Sequence, residues 1–347
     1  MVKIPGIALA LMMFTARALY ASLADDLKTD IASDKPLVRR RAVYSIIHST
    51  LPPVAAINLL GRAVLDEDLL VKRLAVSGIG KFSRFFDDIY TDSATTTAVS
   101  TSAASGDLHP RLQGELTENT TALKKINPAA TIALDILRAA ASDSASVVRA
   151  DAVRVLGTFP VRIVREDILA MLNDSSFIVI KEALQAAANL KMIEASDRID
   201  KLLKHKSEIV RFSAVEFAGN MKLEEFFKQI KKIAEKDKSP EVRKKSLAAM
   251  IKIRPDDKAD ILKDFLNEKD IFTALDAAFL LAKDSDYSGK GVVFSAFESE
   301  DPAIRLAAAK ILLYYDDEES RGLFKKLLND SDSDVRSFAE KNKRRTE

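Results

Sequence analysis

The chain of 347 residues contains no cysteine. That excludes disulfides, thiolate metal sites, a cysteine nucleophile and a lipid-modified N-terminal cysteine. Tryptophan is absent too, and the only histidines are His48, His109 and His205. A dedicated zinc or iron site would therefore rest almost wholly on carboxylates, which those metals match poorly. Glycine and proline are sparse, at 11 and 10, and they are the poorest residues for a helix interior. Their scarcity favours helices. No G-x-S-x-G occurs. The stretch "GIGKFS" (78–83) fails as a phosphate loop, because Ala75 stands at the required first glycine and Phe82 where a hydroxyl must follow the lysine. No cofactor is expected.

Long apolar runs are also scarce. The single candidate opens the chain, "MVKIPGIALALMMFTARALYASLA", with an apolar stretch from Ile4 to Ala16 that is too short to span a bilayer. Lys3 precedes it, and small residues follow at Ala16-Arg17-Ala18 and Ser22-Leu23-Ala24. This is the layout of a secretory signal peptide over residues 1–24, with Arg17 as its atypical feature. The expectation is an exported protein, periplasmic or secreted. Retention of these residues would make them the first helix of a cytoplasmic protein. Charge shows no excess of one sign. The formal net charge is +2, and removal of Lys3 and Arg17 leaves 51 basic against 51 acidic side chains. A neutral chain lacks the overall electrostatic signature of a nucleic-acid binder.

What the chain does have is a repeat. "SVVRADAVRVLG" (146–157), "EIVRFSAVEFAG" (208–219) and "PAIRLAAAKILL" (302–313) share an apolar residue, an arginine and a small residue three positions later. Aligned on the apolar residue, the anchors are Val148, Val179, Val210, Val242, Thr273, Ile304 and Val335. They are separated by 31 residues, and once by 32. Earlier copies begin at Val38 and Val71. Four positions after each anchor stands a small residue, from Ala42 and Ala75 to Ala308 and Ala339. A fixed period in this range marks a solenoid.

Within a period, apolar or small residues fall at steps of 4, 5 and 8 from the anchor, one face of a first helix. A second apolar cluster follows, as in Ile261-Leu262 with Phe265-Leu266, and forms a second helix. Asp143, Asp174, Asp237 and Asp330 precede anchors where a short polar side chain can cap the first helix. The small fourth-step residue lets the paired helices approach closely. Neither helix buries its apolar face alone, so neighbouring units must stack. The predicted fold is all-α: an α-solenoid of about eight stacked helix pairs, ending in a half-repeat.

On these residues, quoted best by "DSASVVRADA" (143–152) and "DKSPEVRKKS" (237–246), the chain resembles the HEAT-repeat family, in particular the short repeats of the phycobilisome-lyase type. The resemblance implies one right-handed superhelix. It covers residues 25–90 and 126–347, with a basic C-terminal cap. The Ser/Thr/Ala-rich stretch 91–125 interrupts it as an inserted loop. The family's arginine is replaced by Ile180 and Ala274. Elsewhere (Arg39, Lys72, Arg149, Arg211, Arg243, Arg305, Arg336) its place in the first turn suits an ion pair with the acidic inter-repeat turns.

One row invites a functional reading. At a single register of the second helices stand Lys201, Lys232, Lys263, Phe294 and Lys325, spaced by 31. Second helices line the concave surface of such solenoids, so this row is the candidate surface for an acidic partner. The bland reading is that lysine commonly fills exposed helix positions, and Asp200 and Asp264 lie beside two of these.

Three functions compete. The first, and the one chosen, is a non-enzymatic scaffold that binds a protein partner through the concave face and the inserted loop. The second, implied by the resemblance, is a lyase-like or enzyme-accessory protein acting on a tetrapyrrole or protein substrate. The third is nucleic-acid binding along the lysine row, which the neutral charge disfavours. The deoxyhypusine hydroxylases, another class with these repeats, hold iron with His-Glu pairs, and no histidine here is followed by glutamate.

Overall fold

The computed structural model describes residues 20–83 and 127–343. Residues 1–19, which hold most of the expected signal peptide, and 84–126, which hold the expected insertion, lie outside the described residues, as does the chain end 344–347. Every regular element among the described residues is helical. By internal contact the chain divides into two units, Met1–Met192 and Ile193–Glu347.

The first unit opens with α1 (20–31), which buries Leu27 and Ile31. There follow α2 (Pro36–His48), α3 (Pro53–Val64), α4 (Leu69–Gly80), α5 (Pro128–Ala141), α6 (Ser146–Leu156), α7 (Val161–Met171) and α8 (Phe177–Asn189). Proline occupies the first turn of α2, α3 and α5, where its missing N–H costs no helical bond. The second unit holds α9 (Ile199–Leu202), α10 (Glu208–Asn220), α11 (Phe227–Lys236), α12 (Pro240–Ile253) and α13 (Lys258–Phe265). It ends with α14 (Ile271–Lys283), α15 (Lys290–Phe297), α16 (Pro302–Leu312), α17 (Glu318–Lys326) and α18 (Ser333–Asn342).

Even-numbered helices from α2 to α16 are first helices, and each is followed by a second. α18 is the expected half-repeat. The fourth-step residues from Ala42 to Ala339 are all buried, and seven of the anchors are as well. Val38 and Ile304 are half-buried. The small residues thus lie where the helices meet.

Within each unit consecutive first helices pack directly on one another: α2 on α4, α4 on α6 and α6 on α8, then α10 on α12, α12 on α14, α14 on α16 and α16 on α18. Second helices meet in this way at α3 and α5, and are further apart elsewhere. Two of the contacts between first helices use a second small position, nine residues after the anchor. A Cβ added at Gly157 would lie 2.8 Å from the Ala186 Cβ, and one at Gly219 2.8 Å from the Ala249 Cβ. In the second unit, where the second helices stand further apart, the first-helix side is the tight side of the stack.

The four aspartates expected to cap first helices do something else. α6, α8 and α12 begin after Ala145, Ser176 and Ser239, none of which makes a side-chain cap bond. At α18 the cap is Asp332, not Asp330. Asp143, Asp174, Asp237 and Asp330 sit two residues before those positions and accept the backbone N–H there, at 2.7 to 2.9 Å, closing the turn. Their carboxylates take a further partner as well.

Candidate partner-binding surfaces

That partner is the repeated arginine. Arg149 donates through Nε and Nη2 to the two carboxylate oxygens of Asp174, both at 2.8 Å. Its Nη1 reaches back to the carbonyls of Asp143 and Ser144 in its own turn, at 2.9 and 3.1 Å. Arg211 repeats this with Asp237 at 2.6 and 2.7 Å, and Arg305 with Asp330 at 2.8 and 2.7 Å. Arg39 grips Asp66, and Lys72 reaches Asp143 at 2.6 Å. Arg243 pairs instead with Asp270, at 2.9 Å. Each clamp bridges consecutive turns with mostly buried charge-assisted hydrogen bonds, so these arginines serve the stack rather than a ligand.

Where the arginine is missing, its receptor is missing as well. The turn position 25 residues after Ile180 and after Ala274 holds His205 and Ser299, neither of them acidic. Both keep the other task of the aspartates. His205 Nδ1 accepts the Ser207 N–H at 3.0 Å, and Ser299 Oγ the Asp301 N–H at 3.2 Å. Loss of carboxylate and guanidinium together is what a paired buried charge requires, since either alone would be left uncompensated.

The clamps make stability depend on pH. Burial pushes the carboxyls of Asp174 and Asp237 up, but the arginine hydrogen bonds, the turn N–H and the guanidinium charge outweigh it and hold both below the usual range. At Asp330 the hydrogen bond from Arg305 is the largest influence and acts in the same direction. Asp68, bonded by Arg40 and capping α4, is held at about 2. Native values below the unfolded value of about 3.9 mean that this stability is complete above that pH and lost as pH falls through the native values. The urea midpoint should stay level from neutral pH to about 5, then fall steeply below about 4. Asp174→Asn and Asp237→Asn variants should start lower and show a shallower acid slope. An unchanged slope would remove the clamps from the pH response.

All five residues of the expected row lie in the second unit. Lys201, Lys232, Lys263 and Lys325 are exposed and Phe294 is half-buried. They are not equivalent. Lys263 is engaged by Asp286 at 3.1 Å. Phe294 lies under the ammonium of Lys290, 5.5 Å from its ring centre, while Lys290 itself holds Asp317 at 2.9 Å. Beside them Tyr315 is buried, and burial pushes its hydroxyl up to about 12. The centre of the row is thus built into a structural joint. Lys201, Lys232 and Lys325 remain exposed without a carboxylate partner among the described residues. The row runs along second helices, the more widely spaced side of this unit.

Sequence reasoning misses a set of exposed apolar residues on the first helices. One residue before the anchors stand Leu37, Leu70, Ile209 and Phe272, all exposed. In sequence they look like core, because periodicity does not say which face a neighbouring helix covers. Exposed Leu69, Leu74 and Tyr44 join them on α2 and α4. Among the described residues no group of histidine and carboxylate side chains is arranged to hold a metal ion. No described helix is long and apolar enough to cross a membrane.

A fold of this kind, helix pairs stacked with a 31-residue period and bridged by repeated arginine clamps, is an α-solenoid. The family model for HEAT repeats matches residues 134–219 and, overlapping them, 195–282. The protein thus carries HEAT repeats over those residues. A chain in a homology model of the full-length AP-3 complex, in an intermediate open conformation, is similar in fold, with a TM-score of 0.52 at 14% identity. That match covers 90% of this chain and 55% of the other, so this chain spans about half the length of its AP-3 counterpart. The complex of CpcE and CpcF of phycocyanin lyase from Nostoc sp. PCC7120 aligns at 16% identity over 84% of this chain and 96% of that one, with a TM-score of 0.40. Human deoxyhypusine hydroxylase aligns at 13% identity over 95% and 98%, with a TM-score of 0.35. No curated protein matches the sequence.

Proposed function

We propose that the protein is an exported, non-enzymatic scaffold that holds an acidic protein partner on its helix stack. The repeated residues are engaged in packing and clamping, which leaves the exposed helix faces as the surface on which a partner is recognised. Extended faces of this kind are the usual working surfaces of stacked repeats. The observation that carries the reading is the set Lys201, Lys232 and Lys325, exposed, without carboxylate partners among the described residues, and at one register of the second helices. Such an array attracts acidic chains and speeds their encounter at low ionic strength.

The triple variant Lys201→Glu, Lys232→Glu, Lys325→Glu is expected to weaken binding of a polyglutamate probe about tenfold at low salt. Its melting temperature should not change, since no ion pair is broken. Undiminished binding would refute the acidic-partner reading. Export is supported by the pattern of residues 1–24 and fits α1, because cleavage after Ala18 or Ala24 spares its buried Leu27 and Ile31. N-terminal sequencing of the native protein from fractionated cells tests this. A start at Leu19 or Asp25 in an exported fraction agrees with it, and a start at Met1 or Val2 in the cytosol overturns it.

A further inference from the structure

Twelve large apolar side chains are exposed among the described residues, and six of them fall between residues 37 and 74: Leu37, Tyr44, Leu65, Leu69, Leu70 and Leu74. Leu37 and Tyr44 are the most exposed of all, at 57% and 61%. They belong to one stripe of α2. Leu37, Arg41, Tyr44 and His48 follow at steps of 4, 7 and 11, and all four are exposed. The rings of Tyr44 and His48 stack, with centres 4.2 Å apart. α4 packs beside α2 and presents Leu70 and Leu74 at the register of Leu37 and Arg41.

The patch has an edge. On α6 the corresponding residues are Val147, half-buried, and Asp151, which is buried and held by Arg73 at 2.7 Å and by Arg154. On α8 the stripe reads Ile178, Glu182, Gln185. Apolar exposure is thus concentrated on two adjacent helices. Stripes that are apolar, contiguous and bordered by polar groups mark interaction sites rather than ordinary surface.

Charge says what the occupant carries. Of the three successive arginines in α2, Arg39 grips Asp66 and Arg40 grips Asp68 at 2.7 Å. Arg41 stands exposed within the apolar stripe and makes no ion pair among the described residues. Lys81 is exposed just beyond the end of α4. Glu67, an exposed carboxylate nearby, already reaches Arg39. The stripe from Leu37 to His48 is about 16 Å long, three turns of a facing helix at about 1.5 Å per residue. We propose that this face of α2 and α4 is the docking surface for an acidic amphipathic helix of a partner protein. Its apolar residues at i, i+3 or i+4 and i+7 lie between Leu37, Tyr44, Leu70 and Leu74, with a carboxylate opposite Arg41. Tyrosine and arginine beside exposed leucine are also the side chains that most often dominate binding energy. Two copies of the face would set Arg41 against Arg41, which disfavours self-pairing. The proposal rests on the scaffold reading but concerns residues of the first unit, whereas the lysine row belongs to the second.

The test uses the full chain and a display library of three-turn helices sharing one apolar stripe, flanked by Glu, Gln or Lys. Glu-flanked members are expected to bind at least about tenfold tighter than Lys-flanked ones. Leu70→Asp should abolish binding, and Arg41→Glu should turn the preference toward Lys-flanked members. Both positions are exposed, so helicity and melting should persist. Absence of binders, or a preference indifferent to Arg41→Glu, overturns the proposal. Self-association that Leu70→Asp removes would assign the face to a second copy. Flotation with phosphatidylglycerol vesicles that the same variant removes would assign it to a lipid surface. Either result overturns the proposal. If the library fails while the lysine variants still lose polyglutamate, this inference alone falls. If both fail, the scaffold reading falls with it.

Discussion

Replacing Asp237 with alanine is expected to destabilise the protein by about 3 kcal/mol, the cost of leaving a largely buried guanidinium without its counter-charge. Asp237 takes two hydrogen bonds from Arg211, and its Oδ1 also closes the turn onto the Ser239 N–H at 2.9 Å. Arg211→Met should cost less, because a flexible apolar chain fills the space and the aspartate keeps its turn bond. The double variant should cost less than the sum of the two singles. The difference is the clamp's coupling energy, about 1–3 kcal/mol. The natural gap at Ala274 and Ser299 offers the reverse experiment. Ala274→Arg alone should destabilise, whereas adding Ser299→Asp should recover some of the loss. Urea midpoints of the two sets decide the matter. Additive effects would mean that the residues occupy the clamp geometry without depending on each other.

The architecture is legible because its signal is repeated. Nine anchors and nine small partners in register outweigh the ambiguity of any one helix, and the ion-pair role of the arginine follows from its place beside acidic turns. The role of the aspartates escapes sequence for a chemical reason. A short side chain that accepts a backbone N–H is favoured both as a cap and as a turn closer two residues earlier, and sequence does not separate the two. Asp332 caps while Asp330 receives Arg305, yet both are aspartates at a helix start. The lysine row does lie on exposed second helices, but its electrostatics depend on neighbours in the next repeat. Asp286 and Asp317 quieten its centre, and no spacing rule announces them. The α2–α4 face is hidden because Leu37 and Leu70 sit one step from the anchors, where a helical pattern assigns them to the core by default.

The second large effect is expected at Gly219, and it tests whether the first helices set the pitch of the stack. A Cβ there would stand 2.8 Å from the Ala249 Cβ and 2.9 Å from its Cα. The obstacle is therefore α12's backbone and not a side-chain end that could swing away. Gly219→Val should cost about 2–3 kcal/mol, since overpacking must push apart helices that share a continuous core. Gly219→Ala should cost less, because alanine regains about 1 kcal/mol of helix propensity over glycine. Gly322 in α17 is the matched control. Nothing lies within 4 Å of a Cβ added there, so Gly322→Ala should stabilise by about 0.5–1 kcal/mol through propensity alone. Opposite signs at the two glycines in thermal or urea unfolding would show that contact between first helices limits how closely the repeats stack. A gain at both would mean that α10 and α12 separate without cost, and the tight side of the stack would then be no more constrained than the loose one.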